Sequence, residues 1–167
     1  AVPAPVYLTD PEVMAAVAGY DVHRGVLASA NRRPALALSD VLSVARRILV
    51  LEGSNDPENI GAIARSARAL GIDAVVLDPT CADPFSRRAV RVSMGEVLHL
   101  PVVRCDRWPD AIDTIRSAGF VTWSLTPDPA APNLFEMGQP EKLALVGGPE
   151  GPGLRAHPRA QGVHERP

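Results

Sequence analysis

Residues 55–71 read "NDPENIGAIARSARALG", and how they fold decides the rest of the chain. Asp56 followed by Pro57 is a strong helix start, and Asn59 sits where its side chain can bond back to the open amides of the first turn. Ile60, Ile63, Ala64, Ala67 and Leu70 recur at helical spacing and define one buried face, and Gly71 supplies the stop. The reading is an amphipathic helix from about 57 to 70. Gly61 lies one turn in, where glycine costs about 1 kcal/mol relative to alanine, so something must approach the backbone there. Two readings stay open: tight packing on a neighbouring strand, or close approach of a ligand. Arg65 projects from the second turn and admits two readings as well. It is either a surface charge or a guanidinium aimed at a phosphate or at an oxygen developing negative charge. Arg68 falls on the solvated face.

Working outward, short apolar segments alternate with helical ones. "RILVLEG" (47–53) is rich in β-formers and suits a strand buried on both faces of a parallel sheet. "AVVLD" (74–78), "HLPVVRC" (99–105), "FVTWSLTP" (120–127) and "KLALVGG" (142–148) read as further strands. "DPFSRRAVRVSMG" (83–95) begins as a helix, and "WPDAIDTIRSAG" (108–119) is a helix closed by Gly119. Such alternation predicts an α/β fold: a parallel sheet with right-handed crossovers and helices on both faces. Ligands of such sheets bind beyond the carboxyl ends of the strands. Those ends carry "EGSNDPEN", "DPTCADP", "SLTPDP" and "GGPEGPG", which hold most of the glycine, asparagine, proline and acidic residues of the domain.

Composition narrows the function. The 167 residues, 46% hydrophobic and 22% charged, suffice for one main domain. A net charge of −2 provides no bulk positive field, so RNA contact would rest on a local patch. Aromatic residues at 4% are too few for a stacking platform for single strands. Cys81 and Cys105 have neither the spacing nor the histidine neighbours of a zinc site and suit a reducing cytoplasm. No apolar run is long enough to span a membrane, and the N-terminus lacks the pattern of a signal peptide. A cytoplasmic protein is expected.

The glycine-rich "LALVGGPEGPGL" (143–154) leaves amides open at a strand end, with Glu150 among them. It is either an ordinary glycine-proline loop or a bed for a nucleoside, and it matches neither the dinucleotide nor the P-loop fingerprint. Arg87, Arg88 and Arg91 fall within about one helical turn, either as a phosphate-facing patch or as a solvated face. No nucleophile elbow accompanies Ser93 or Ser124.

"NDPENIGAIARSARALGIDAVVL" (55–77) resembles the first motif, and "LALVGGPEGPGL" the second, of the SpoU/TrmH class of the SPOUT superfamily, RNA ribose 2′-O-methyltransferases. "DPFSRRAVRVSMGEVLHLPV" (83–102) is similar to the segment between them. The likeness runs over about residues 48–154. It implies an α/β domain tied into a trefoil knot, S-adenosylmethionine bound bent in the knot, an RNA substrate, ribosomal or transfer, and a homodimer whose sites are completed across the interface. Asn59, Gly61 and Arg65 fall on the first motif, where the arginine helps place and activate the ribose hydroxyl. Gly148, Glu150 and Gly151 fall on the second, lining the cofactor pocket, with Glu150 counted among the catalytic residues. Leu125 and Thr126 match a strand end that also touches the cofactor, and Arg65, Arg87, Arg88 and Arg91 are the RNA-binding candidates. No metal is implied. An arginine with a pKa above roughly 12 acts electrostatically and is a poor general base, so a substrate phosphate or another group takes the proton.

The resemblance also partitions the chain. Residues 1–33, with a short helix begun by Asp10 and Pro11 and a strand at "GVLASA" (25–30), look like the closing part of an N-terminal substrate-recruiting domain whose front is absent. Residues 34–47 are expected as a linker, 48–154 as the methyltransferase domain and 155–167 as an irregular tail. The family's third motif, an "IPM" strand followed by "SLN", does not follow the second; the chain reads "RAHPRAQGVHERP". A rival reading is therefore a non-catalytic RNA-binding or dimerisation remnant.

Overall fold

A computed structural model describes residues 4–126, 128, 130–149, 154 and 161–163. The chain divides after Pro34 into two units. In the first, helix α1 (Pro11–Ala18) starts at Pro11 and ends at Gly19, as its sequence dictates, although the Asp10 side chain makes no capping bond. The strand expected over 25–30 does not form: these residues have no regular structure, and Val26 and Leu27 are exposed.

The second unit is built on a parallel sheet. Its strands are β1 (Arg47–Leu51), β2 (Ala74–Leu77), β3 (Val102–Arg104), β4 (Val121–Leu125), β5 (Leu143–Gly147) and β6 (Gln161–Val163). They lie in the order β3-β2-β1-β5-β4-β6, and every neighbouring pair is parallel. The chain first moves outward from β1 to β3, then crosses to the other side for β4 and returns to insert β5 beside β1. The direction of winding thus reverses between β1 and β5, and the crevice at that reversal is where α/β sheets take ligands.

Helices α2 (Leu38–Val44), α3 (Pro57–Ala69), α4 (Arg87–Val92) and α5 (Asp110–Ser117) cover the sheet. Alternate strand residues face opposite sides. Ile48, Val50, Ala74, Val76, Ala144 and Val146 join Val41 and Leu42 of α2 and Ile112 and Ile115 of α5 in one core. Leu51, Val75 and Leu77 join Ile60, Ala64 and Ala67 of α3 and Ala89 of α4 in the other. Helices on both faces explain why the strands carry apolar runs rather than alternating polar ones.

Two expected boundaries move. Residues 34–47 are not a spacer, because α2 buries Val41 and Leu42 with Ala45 in the core beneath β1. The expected irregular tail contributes β6, whose Gln161, Gly162 and Val163 pair with Trp123, Ser124 and Leu125. The physical reason is that an outer strand leaves a row of backbone donors and acceptors open, and even a short extended segment satisfies them.

The opening helix follows its sequence closely. The Asp56 carboxylate accepts the Glu58 amide at 2.8 Å, and Pro57 occupies the first turn. Gly61 is explained by a helix rather than a strand: a Cβ there would lie 2.6 Å from the Ala89 carbonyl oxygen and 3.0 Å from Val92 Cβ. The absent side chain lets α3 and α4 pack backbone against backbone. Gly61→Ala is therefore expected to lower the thermal midpoint, overpacking of about 1–3 kcal/mol outweighing the gain of about 1 kcal/mol in helix propensity. A midpoint that rises would show that α4 yields freely.

Candidate active site

The carboxyl end of β1 is where the loops converge. Glu52 follows the strand, and its amide donates to the Gly147 carbonyl at 2.9 Å, carrying the β1–β5 ladder one step past the strand. Gly53 then turns the chain with φ +64, and a Cβ there would sit 3.3 Å from Pro149 Cγ. A left-handed backbone and a near neighbour together demand glycine. The "EGS" turn after β1 and the "GGP" turn after β5 are thereby in direct contact.

Two buried carboxylates hold this rim. Asp78, 0% exposed at the end of β2, accepts the Thr80 amide at 3.0 Å, the Thr80 hydroxyl at 2.8 Å and the Cys81 amide at 2.9 Å. Burial alone would raise its pKa, but the bonds from Thr80 and Cys81 and the Gly53 amide outweigh it and hold the carboxyl below its ordinary value. Glu52, 1% exposed, accepts the indole Nε1–H of Trp108 at 3.1 Å. Arg104, at the end of β3, clamps the loop after β2: it donates to the carbonyls of Asp78, Pro79 and Cys81 at 3.2, 3.2 and 2.9 Å and to that of Ala82 at 2.9 Å. Ala82 in turn donates its amide to the Ser54 carbonyl at 2.8 Å. The loops after β1, β2 and β3 are one bonded structure.

Cys81 is inert in this setting. Its thiol donates to the Leu51 carbonyl at 3.3 Å, and burial, reinforced by the Asp78 carboxylate, pushes it up to about 11. It stays protonated at neutral pH and is no nucleophile. Among the described residues, no group of three His, Cys, Asp or Glu side chains is arranged to hold a metal, and no helix is long and apolar enough to cross a membrane.

Leu125, 44% exposed, and half-buried Thr126 end β4, and exposed Gly148 follows β5 beside them, since Ser124 pairs with Val146. Glu150 and Gly151 lie outside the described residues. Half-buried Asn59 stands in the first turn of α3, close in sequence to the rim. Arg65 is exposed on α3 in a groove of about 310 Å³ shared with Ala62, Ser66, Ala69 and Val92. Arg87, Arg88 and Arg91 are exposed on α4, and Arg88 pairs with Glu58 at 2.8 Å, bridging α4 to the start of α3.

Comparison with known proteins completes the picture. The model of the SpoU rRNA methylase family matches residues 46–162. The chain belongs to this family. It is 46% identical over 156 residues to an uncharacterized tRNA/rRNA methyltransferase of Mycobacterium tuberculosis strain H37Rv, covering 92% of this chain and 54% of the relative. It is 36% identical over 115 residues to the 23S rRNA (guanosine(2553)-2'-O)-methyltransferase RlmP of Bacillus subtilis, covering 69% of this chain and 46% of that protein. The chain thus spans about half the length of these relatives. Among solved structures it resembles the SpoU methyltransferase AviRb of Streptomyces viridochromogenes in complex with the cofactor AdoMet. The TM-score is 0.70 at 26% identity, over 80% of this chain and 56% of that one.

Sequence reasoning missed Glu52, Asp78, Trp108 and Arg104. An acidic residue directly after an apolar strand is the signal that could have revealed Glu52 and Asp78; Trp108 and Arg104 act across the sheet and leave no local trace. Because the folded pKa of Asp78 is depressed, its stabilisation is complete above the unfolded value of about 3.9 and is lost as pH falls through the folded value. Asp78→Asn is expected to lower stability by about 1–3 kcal/mol at pH 7. In urea titrations the gap to wild type should close below about pH 4; a gap independent of pH would assign the loss to something other than ionisation.

Proposed function

We propose that the chain methylates a ribose 2′-hydroxyl in ribosomal or transfer RNA with S-adenosylmethionine, in the cytoplasm and as a homodimer. The observation that carries this reading is the glycine-ended β5 at the winding reversal, flanked by the end of β4. The named activity of the Bacillus relative and the cofactor held by the Streptomyces neighbour support it.

The residues fit such a cofactor. Leu125, Thr126, Gly147 and Gly148 stand at adjoining strand ends, offering one exposed apolar side chain beside small residues, and Glu150 and Gly151 follow after Pro149 in the sequence. The cofactor supplies a methyl group already activated by its sulfonium. What remains for the protein is to align the attacking oxygen and to stabilise it as it loses its proton. Arg65 suits the second task, because its charge is permanent and its exposed guanidinium has no hydrogen bond or ion pair with the described residues. In the homodimer, one protomer's α3 groove would face its partner's β5 end. Arg87 and Arg91 add exposed positive charge on the neighbouring α4 for the RNA backbone.

Titration calorimetry with S-adenosylmethionine and methyl transfer to unmodified ribosomal and transfer RNA test this. Wild type should bind the cofactor and transfer its methyl to a 2′-oxygen. Arg65→Ala should keep cofactor binding and lose about 10²–10³ in turnover, the usual cost of a missing oxyanion stabiliser. RNA binding without cofactor binding would replace this reading with the non-catalytic one.

A further inference from the structure

Helices of this chain that end in a left-handed residue place glycine there: Gly19 after α1, Gly71 after α3 and Gly119 after α5, with φ of 75, 75 and 89. Helix α4 breaks the pattern. Its left-handed position is Met94, φ 57, and among the described residues no other non-glycine has a positive φ. A side chain in that region crowds the following carbonyl, which is why glycine dominates at this position. Strain of this kind persists where something else over-determines it, and it collects at functional positions.

Packing does not account for the methionine, which is 72% exposed. The backbone of the turn is satisfied without its side chain: the Met94 amide donates to the Arg91 carbonyl at 3.1 Å, and the Gly95 amide to that of Val90 at 2.9 Å. Fully buried Ser93 fastens the turn, its hydroxyl donating to the Val90 carbonyl at 3.0 Å and accepting the Val97 amide at 3.4 Å. An apolar side chain is thus held out from a fixed turn. Around it, Arg87, Arg88 and Arg91 are exposed on α4, and the Arg91 guanidinium has no hydrogen bond or ion pair with the described residues. Val92, two residues before Met94 and so within about 7 Å of it along the chain, lines the groove of Arg65. A polyanion with accessible apolar faces fits such a surface, and single-stranded RNA is one. Its phosphates meet arginines, and an unstacked base meets the thioether, whose polarizable sulfur favours aromatic rings. A second copy of the chain fits less well, because a two-fold contact on this patch sets its arginines against themselves.

We infer that Met94 is an RNA-contacting residue: its thioether packs on an unpaired base of the substrate, near the nucleotide whose ribose enters the Arg65 groove. The arginines of α4 grip the backbone of either a single or a double strand, whereas Met94 has a face to pack on only where a base is out of its stack. This inference rests on the RNA reading above and adds the form of RNA that the site takes.

The test measures binding of the whole chain to a labelled single-stranded RNA and to the same strand annealed to its complement, by fluorescence anisotropy. Thermal midpoint is followed by circular dichroism and mass by light scattering. Met94→Gly relieves the strain and removes the contact, so its midpoint should rise by about 2 °C. Its affinity for the single strand should fall about fivefold, while that for the duplex stays within about twofold of wild type. Met94→Leu keeps an apolar side chain of similar volume and should hold the single strand within about threefold. Arg91→Gln, in contrast, should weaken both RNAs alike and lower the slope of log affinity against log salt by about one. Wild-type single-strand affinity in Met94→Gly, an equal loss on the duplex, or a lowered midpoint overturns the inference while leaving the RNA reading intact. So does a dimer that dissociates in Met94→Gly, which assigns the residue to a protein interface. A wild-type chain that binds neither RNA overturns both.

Discussion

The pairing of β1 with β5 is the constraint on which the rest of the structure depends. Five residues of each strand are in register, from Arg47 opposite Leu143 to Leu51 opposite Gly147, and the Glu52 amide carries the ladder one step further. Because β1 is near the start of the unit and β5 near its end, this contact closes the sheet and places two turns of different origin against each other. The turn after β1 leads into the arginine-bearing helix, and the turn after β5 is the glycine-rich one. Proximity of Gly53 and Pro149 follows from that register, and with it the crevice.

A rim assembled from several loops needs something other than regular secondary structure to hold it. Here the task falls to ionised groups whose partners are mainly backbone. Asp78 gathers the amides of its own turn, and Arg104 gathers the carbonyls of the same turn from the opposite side. The acid and the base meet through the peptide groups between them rather than as an ion pair. Each thereby meets the hydrogen-bonding demand of buried backbone that neither a helix nor a strand satisfies. The result is a platform in which the loops after β1, β2 and β3 are bonded to one another.

How much of this was legible depended on the range of the interaction. The helix of Pro57–Ala69 could be read from Asp56, Pro57 and the apolar spacing because its determinants are local. The first five strands could be read from apolar runs, and their parallel arrangement from the helices between them. The strand order required more, because nothing in residues 143–147 declares that they pair with β1 rather than at an edge. Gly61 shows the limit well: its cost pointed to a close neighbour, but the neighbour is the Ala89 carbonyl, almost thirty residues on and belonging to a helix. The failures have the same cause. "GVLASA" has strand-forming residues and no strand to join, whereas Gln161–Val163 has weak strand character and an open edge beside it. The helix at 38–44 was undervalued because its apolar face became evident only once β1 lay beneath it.

The position of β5 has a bearing on how the chain is made. Emerging from a ribosome, residues 47–104 can assemble three strands with their helices, but β4 has no partner strand on the side where it belongs until residues 143–147 arrive to bridge it to β1. Long-range pairing of this kind is slow and leaves strand borders uncovered in the interim. Synthesis therefore passes through a half-sheet whose inner border, the side of β1 awaiting β5, is open to a foreign strand before the native one is available.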